Sequence, residues 1–256
     1  MKYRHYRKIP VRWAIFSAFA VILFLGVFFI RQGNVRPRGG EENLKCEIIK
    51  TWTFSDDFAL EKWEEKVFKG KVIYKVERAE GISYVHASSD RSASALYYRI
   101  TLDARNRRPI LRWKWQVEKF PTKTNIESLE AENEDDFAAR VYVIFPAMFI
   151  TNWKVLEYVW SETIPPGTTG TSPYSKNIKL IVLEQGMDKD KKWFSETRDI
   201  YSDYVKLFGR APEYNVGAIA FMTNTEHTGS TAEAKYADIE AGYNAKPESQ
   251  MRRWRP

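Results

Sequence analysis

Leu111-Arg112-Trp113-Lys114-Trp115-Gln116-Val117 alternates apolar and polar residues without a break. Successive side chains of a strand point to opposite faces, so Leu111, Trp113, Trp115 and Val117 share one face and Arg112, Lys114 and Gln116 the other. The stretch reads as a half-buried strand. Flat aromatic rings on a concave face would suit sugar stacking. Here Leu111 and Val117 share the tryptophans' face, which favours packing between two sheets.

Outward from this strand the same period recurs. Short apolar runs occur at Lys71–Arg78, Ser83–Ala87, Ala95–Leu102, Ala139–Phe145, Leu156–Trp160, Ile178–Leu183, Gly217–Met222 and Ala234–Ala241. Helical spacing is confined to Phe58–Phe68 and Tyr201–Phe208. About nine strands with few helices predict an all-β fold: an antiparallel β-sandwich, a jelly roll of galactose-binding-like or concanavalin-like type, closed by a last strand at Ala234–Ala241. Two long loops interrupt the series. Pro121–Glu134 is acidic, and Ser161–Lys176 carries Pro165, Pro166, Gly167, Gly170 and Pro173. Long loops on a rigid sandwich are where binding sites concentrate.

Ahead of the strands, Trp13 to Ile30 runs 18 residues without a charge. At about 1.5 Å per residue a helix of that length nearly spans a hydrocarbon core of roughly 30 Å. Five Lys/Arg precede it and three follow within eight residues, which keeps the N-terminus cytoplasmic. The run ends Phe28-Phe29-Ile30-Arg31, without the small residues that signal peptidase needs. The expected organisation is a basic cytoplasmic tail (1–12), a transmembrane signal anchor (13–30), a Gly/Pro linker (31–47), the sandwich (48–243) and a basic C-terminal tail (244–256). That organisation places the chain in a bacterial inner membrane, single-pass, with the globular part in the periplasm.

The formal charge of +7 comes from the N-terminal segment: eight basic residues and no acid lie in 1–38, which leaves 32 basic against 33 acidic beyond it. A near-neutral domain lacks the basic face of a nucleic-acid binder. Cys46 is the only cysteine, so no intrachain disulfide is available. The three histidines, His5, His86 and His227, stand outside any HExxH pattern, and no GxSxG, GxGxxG or P-loop is present. The sequence therefore points to no metal and no cofactor.

Five residues are candidates to border one ligand cleft. Asp136 and Arg140 lie four apart at the entry to an extended segment and share a face, about 13 Å apart by strand rise. Tyr158 and Trp160 share a face just before the Pro/Gly loop. Arg198 could clamp a carboxylate, or pair with Asp203 and pin a loop. Carboxylate, guanidinium and aromatic planes together suit a polyhydroxylated ligand. Each has a plainer reading: Asp136 paired with an arginine in a strand-entry turn, and the two rings in the core. The loop Thr223–Gly229 gathers several oxygens but one carboxylate, Glu226, so calcium there would be weak unless Asp238 contributed.

Taken in order, Asp135-Asp136-Phe137-Ala138-Ala139-Arg140-Val141-Tyr142-Val143, Tyr158-Val159-Trp160 with Pro166-Gly167, Arg198 with Asp203-Tyr204 and Phe208-Gly209, and the Asn224–Gly229 loop resemble the bacterial exported family catalogued as domain of unknown function 3047. The resemblance spans residues 50–243 and implies an exported bacterial domain without an activity to transfer. Its last loop departs from the family pattern at Asn224, Glu226 and His227, which weakens a metal role there.

The expected function is a membrane-anchored module that binds a glycan or other envelope component. Alternatives are a carbohydrate-active lyase or hydrolase using Asp135 or Asp136 with Arg140 or Tyr158, and an envelope scaffold. Adjacent strand residues point to opposite faces, so Asp135 and Asp136 cannot easily serve one catalytic site.

Overall fold

The computed structural model describes residues 46–56, 58–132 and 135–244. Its strands form two sheets, one of six and one of seven. In chain order they are β1 (Glu47–Trp52), β2 (Glu64–Lys69), β3 (Ile73–Ala79), β4 (Ile82–Asp90), β5 (Ala93–Leu102), β6 (Pro109–Lys119), β7 (Ala139–Phe145), β8 (Lys154–Ser161), β9 (Thr169–Thr171), β10 (Ile178–Gln185), β11 (Phe194–Asp199), β12 (Val216–Asn224) and β13 (Thr231–Tyr243). The first sheet has the order β11-β6-β13-β4-β3, with β1 also pairing β13, and the second β2-β5-β12-β7-β8-β10-β9.

The apolar face of β6 lies between the sheets as its alternation requires. Leu111, Trp113, Trp115 and Val117 are all at most 3% exposed. Trp113 and Trp115 meet edge to face at 5.4 Å, and Tyr158 and Trp160 of β8 pack on them from the opposite sheet at 5.4 and 5.6 Å. Small residues of β13 (Ala232, Ala234, Ala241) lie buried in the same core, which leaves room for these rings.

Strand β13 is the keystone of its sheet. Its first half, Thr231–Ala237, pairs with β4, and its second half, Ile239–Tyr243, with β1, while β6 lies along the other edge. The exchange occurs at Asp238, whose φ of 46° marks a bulge, and its side chain pairs with Lys114 Nζ at 2.8 Å.

Two expectations need correction. The sandwich is not wholly antiparallel: β10 runs parallel to β8, because the crossover at 161–177 brings the chain back and spends β9 as an outer antiparallel neighbour of β10. The helical reading of Phe58–Phe68 fails. Residues 58–62 form turns, and Trp63 is clamped by Trp52, Phe54, Tyr98 and Phe221. The chain then leaves as edge strand β2 on β5, where ladder pairing overrides local propensity. The Thr223–Gly229 loop joins the two sheets, since β12 and β13 lie in different ones.

The second helical reading holds. Helix α1 (Ile200–Phe208) starts at Asp199, whose side chain accepts from Ser202 N, and stops at Gly209 in the left-handed region. Among the described residues no helix is long and apolar enough to cross a membrane. The expected tail (1–12) and anchor (13–30), most of the linker, and residues 245–256 lie outside those residues.

Candidate functional site

The outer face of the six-stranded sheet carries a cleft of about 380 Å³. Tyr84 of β4, Lys235 of β13, and Gln116 and Glu118 of β6 contribute to its lining, polar or amphipathic residues on three adjacent strands. One rim is the β3–β4 turn at Ala79 and Glu80; the other is the segment Lys189–Lys191 with Trp193. That second rim is built, not loose. Asp188 Oδ1 accepts from Asp190 N at 2.7 Å, Lys191 N donates to Asp188 O at 3.1 Å, and the Gln116 amide donates to the Lys191 carbonyl. The half-buried Trp193 ring lies 5.5 Å from Tyr84, tilted by 58°.

Charge in the cleft balances. Glu80, Glu118 and Asp190 face Lys189, Lys191 and Lys235. Glu118 Oε1 accepts from Lys235 Nζ at 2.6 Å, and that ammonium sits 4.9 Å from the Tyr84 ring centre. Burial alone would lower the Lys235 pKa; the hydrogen bond and charge of Glu118 outweigh it, and the pKa is raised. The cleft thus presents donors, acceptors and an aromatic ring side by side.

The five residues singled out from sequence do not border this cleft, and they do not converge on another. In the β7–β8 ladder Val141 faces Tyr158 and Arg140 faces Val159. The register points Tyr158 and Trp160 into the core and Arg140 out of the opposite face. Tyr158 is 0% and Trp160 2% exposed. Tyr158 OH donates to Asp203 Oδ2 at 2.9 Å, and Arg198 binds the same carboxylate through Nε at 2.9 Å and Nη2 at 2.6 Å. Arg198 therefore pins the start of α1, the plainer of its two readings. Trp160 Nε1 donates to Gly186 O at 2.9 Å.

Arg140 is closed off on the outer face of the seven-stranded sheet. The loops expected to carry a site fold down over that face: Leu129 joins Phe137, Val159, Leu180 and Val182 in a separate apolar cluster, and Glu127 accepts from Ser161 Oγ and Thr163 N. Beneath them Arg140 donates to Asp135, and its Nε lies 3.2 Å from Glu157 Oε1. Burial pushes the Glu157 carboxyl up to about 7 against the pull of Arg140. Asp135, Arg140 and Glu157 are at most 6% exposed, and Tyr158 lies on the other face of the sheet, in the core.

Asp136 turns the other way from Asp135, as adjacent residues should. Its Oδ2 accepts from His227 N at 3.1 Å and Thr228 N at 2.7 Å, and its Oδ1 from Asn224 Nδ2 at 2.8 Å. It ties the β12–β13 loop down and is 0% exposed. Glu226 and His227 lie beside it, within reach of a shared cation. Their groups are already engaged: His227 Nε2 is 2.7 Å from Tyr174 OH and 3.3 Å from Glu226 Oε1. Burial and the Glu226 carboxylate raise the Asp136 pKa.

A further carboxylate pair stands where β10 and β11 meet at the sandwich rim. Glu184 and Glu196 are hydrogen-bonded to one another, and Trp115 Nε1 donates to Glu196 at 3.3 Å. Burial, then the neighbouring carboxylate, pushes Glu184 up to about 7.

Sequence reasoning missed Tyr84, Glu118, Trp193 and Lys235. Tyr84 and Lys235 lie in runs recognised as strands, but nothing local marks them as neighbours; Trp193 follows a charged turn and lies outside every apolar run.

A family described as "Protein of unknown function (DUF3047)" matches residues 61–240. No curated protein matches the chain. Among solved structures, a family 11 carbohydrate-binding module from Clostridium thermocellum, in complex with a mixed-linked tetrasaccharide, is similar at 10% identity, over 80% of this chain and 100% of that one, with a TM-score of 0.40. The CBM22-1 xylan-binding domain of Paenibacillus barcinonensis Xyn10C is similar at 8% identity over 80% and 100%, with a TM-score of 0.40. The cellulose-induced protein Cip1 is similar at 9% over 75% and 96%, with a TM-score of 0.41. Likeness this distant transfers no function.

Proposed function

The chain belongs to the DUF3047 family, and from that premise we propose that it is a non-catalytic module binding a neutral, polyhydroxylated envelope ligand, an oligosaccharide, in the cleft over β4, β13 and β6. The cleft's chemistry carries this reading. Three ammonium and three carboxylate groups line it, so it attracts neither polyanions nor polycations strongly, yet offers hydrogen-bond partners in both senses. Trp193 supplies a flat apolar surface for ring C–H groups, and the volume lies within the range of about 300–1,000 Å³ typical of ligand sites. The sandwich is of jelly-roll type in this reading, because the chain passes between the sheets at β1–β2, β2–β3, β4–β5, β5–β6, β6–β7, β10–β11, β11–β12 and β12–β13.

The setting is part of the proposal. Residues 13–30 act as a single-pass anchor in the inner membrane, with 1–12 in the cytoplasm, 31–47 as linker and the sandwich in the periplasm. The charge-free run and the five basic residues ahead of it support this. Fractionation tests it: a soluble form beginning near Arg31–Gly40 overturns the anchor.

The ligand reading is tested on the full chain by affinity electrophoresis against neutral hexose oligomers, uronic-acid oligomers and peptidoglycan fragments. The expected result is retention by a neutral glycan, weakened about tenfold or more in Trp193→Ala with the melting temperature unchanged. Absence of retention, or retention equal in Trp193→Ala, overturns it.

A further inference from the structure

Beside the cleft, on the same outer face, one histidine stands among three carboxylates from different strands. His86 lies on β4; Glu77 is on β3, Glu233 on β13 and Glu118 on β6. The ladders set Lys75 and Lys235 directly opposite His86, so Glu77 and Glu233 reach it diagonally from the next outward position of the two neighbouring strands, and Glu118 reaches it from β6, across β13. His86 Nδ1 is 3.4 Å from Glu77 Oε1, and its Nε2 is 3.5 Å from Glu118 Oε2 and 3.3 Å from Glu233 Oε2. That Nε2 is buried and has no hydrogen-bond partner.

We propose that His86, Glu118 and Glu233 form a binding site for a divalent transition-metal ion, with Glu77 orienting the histidine from behind. Three independent features agree. First, the spacing fits. Zinc-type bonds of about 2.0–2.2 Å in a tetrahedron set ligand atoms about 3.3–3.6 Å apart, and the two distances from Nε2 are 3.5 and 3.3 Å. Second, the back of the ring is arranged as in metal sites. A ligating histidine donates its other N–H to a carboxylate, which fixes the tautomer that leaves Nε2 free to coordinate, and Glu77 is in that place. Third, carboxylates outnumber ammonium groups around the ring. Glu77, Glu118 and Glu233 stand beside Lys235, which binds the other oxygen of Glu118, and Lys75, opposite His86 on β3. The remainder is one negative charge, which favours a bound cation. One nitrogen with two carboxylate oxygens suits zinc, manganese or iron(II) better than calcium. A fourth coordination position stays open for water or a ligand group, and Glu118 is shared with the cleft wall.

The cluster at Asp136, Glu226 and His227 is the internal control, because its polar atoms are already spent on the loop and on Tyr174. The test uses the full chain without a histidine tag, stripped with EDTA. Zn²⁺ is titrated calorimetrically, and Co²⁺ is followed by visible d–d absorption. The expected result is one equivalent bound, with tetrahedral-type cobalt bands. His86→Asn and Glu233→Gln each lower Zn²⁺ affinity a hundredfold or more, Glu77→Gln lowers it about 10- to 100-fold, and His227→Asn changes nothing. Circular dichroism confirms that each variant folds; should His86→Asn fail to fold, Glu233→Gln and Glu77→Gln decide. No heat and no cobalt band in the wild type overturns the proposal. So does binding that survives Glu233→Gln, or that is lost in His227→Asn.

Discussion

Truncating Trp160 to alanine separates framework from binding surface. Trp160 is 2% exposed. Its ring meets Phe194 edge to face at 4.9 Å and Trp115 at 5.6 Å, one contact to a rim strand and one across the sandwich. Removing a buried Trp side chain costs about 3–5 kcal/mol in lost transfer energy and residual cavity. The neighbours are themselves large rings on paired strands and cannot easily collapse into the space, so the upper half of that range applies. The Gly186 carbonyl also loses its donor; it is only partly buried, so water replaces most of that bond. The expected loss is about 4–5 kcal/mol. For a domain of this size about 2–4 °C accompanies each kcal/mol, giving a drop of about 8–20 °C. Urea unfolding followed by far-UV circular dichroism measures it, with an unchanged m-value showing that the native state stays compact. Trp193→Ala, on the cleft rim, should move the same curve by less than about 1 kcal/mol. A Trp160→Ala loss below about 1 kcal/mol, or a ligand-binding defect without a stability defect, would refute this reasoning and return Trp160 to the binding surface.

Asp136→Ala removes the acceptor of two backbone N–H groups and of Asn224, and should cost about 2–4 kcal/mol; amide exchange at His227 and Thr228 should quicken, and unchanged exchange at both would dismiss the loop-tying role. Arg140→Leu strands Asp135 and Glu157 in the interior and should cost about 3–5 kcal/mol, read by thermal unfolding, whereas Glu157→Gln should be nearly neutral. The pH dependence has a definite sign. Glu157 and Glu184 both hold their protons up to about 7 in the folded chain against about 4.5 when unfolded, so the native state binds more protons in that window. Their contribution is complete below about pH 4.5 and is lost as pH rises through 7; Glu184→Gln should flatten the fall between pH 5 and 8, and an unchanged slope would remove the shared proton at the sandwich rim.

Sequence alternation carried the fold wherever one face of a strand is buried and the other wet. It located β6 and placed β7 at Ala139–Phe145, the span observed. It failed for β11, whose inward residues after Phe194 are Glu196 and Arg198, and for β2 and β9, which border the seven-stranded sheet. Such strands are held by backbone pairing, which leaves no hydrophobic period to read. The site was less legible for a related reason. Asp136, Tyr158, Trp160 and Arg198 are chemically versatile residues near loops, and each is occupied in holding the framework. The loops that promised access fold shut, sealed where Leu129 packs on Gly170 so closely that any side chain there would collide. His86 was visible as a residue but not as a site, because Glu118 and Glu233 reach it only through strand register.

The keystone position of β13 governs when this protein can acquire structure. Thr231 pairs with Asp90 and Tyr243 with Glu47, so a strand late in the sequence lies in the middle of the sheet and touches β1 and β4, far earlier in it. Until it arrives, β4, β6 and β1 have no common partner, and three open edges with alternating apolar faces are exposed to one another and to other chains. Loop closure over such separations is slow, and the growing chain cannot secure its gains piecemeal. Folding of this sheet therefore waits on β13, and any delay in its docking leaves those edges open to mispairing and aggregation.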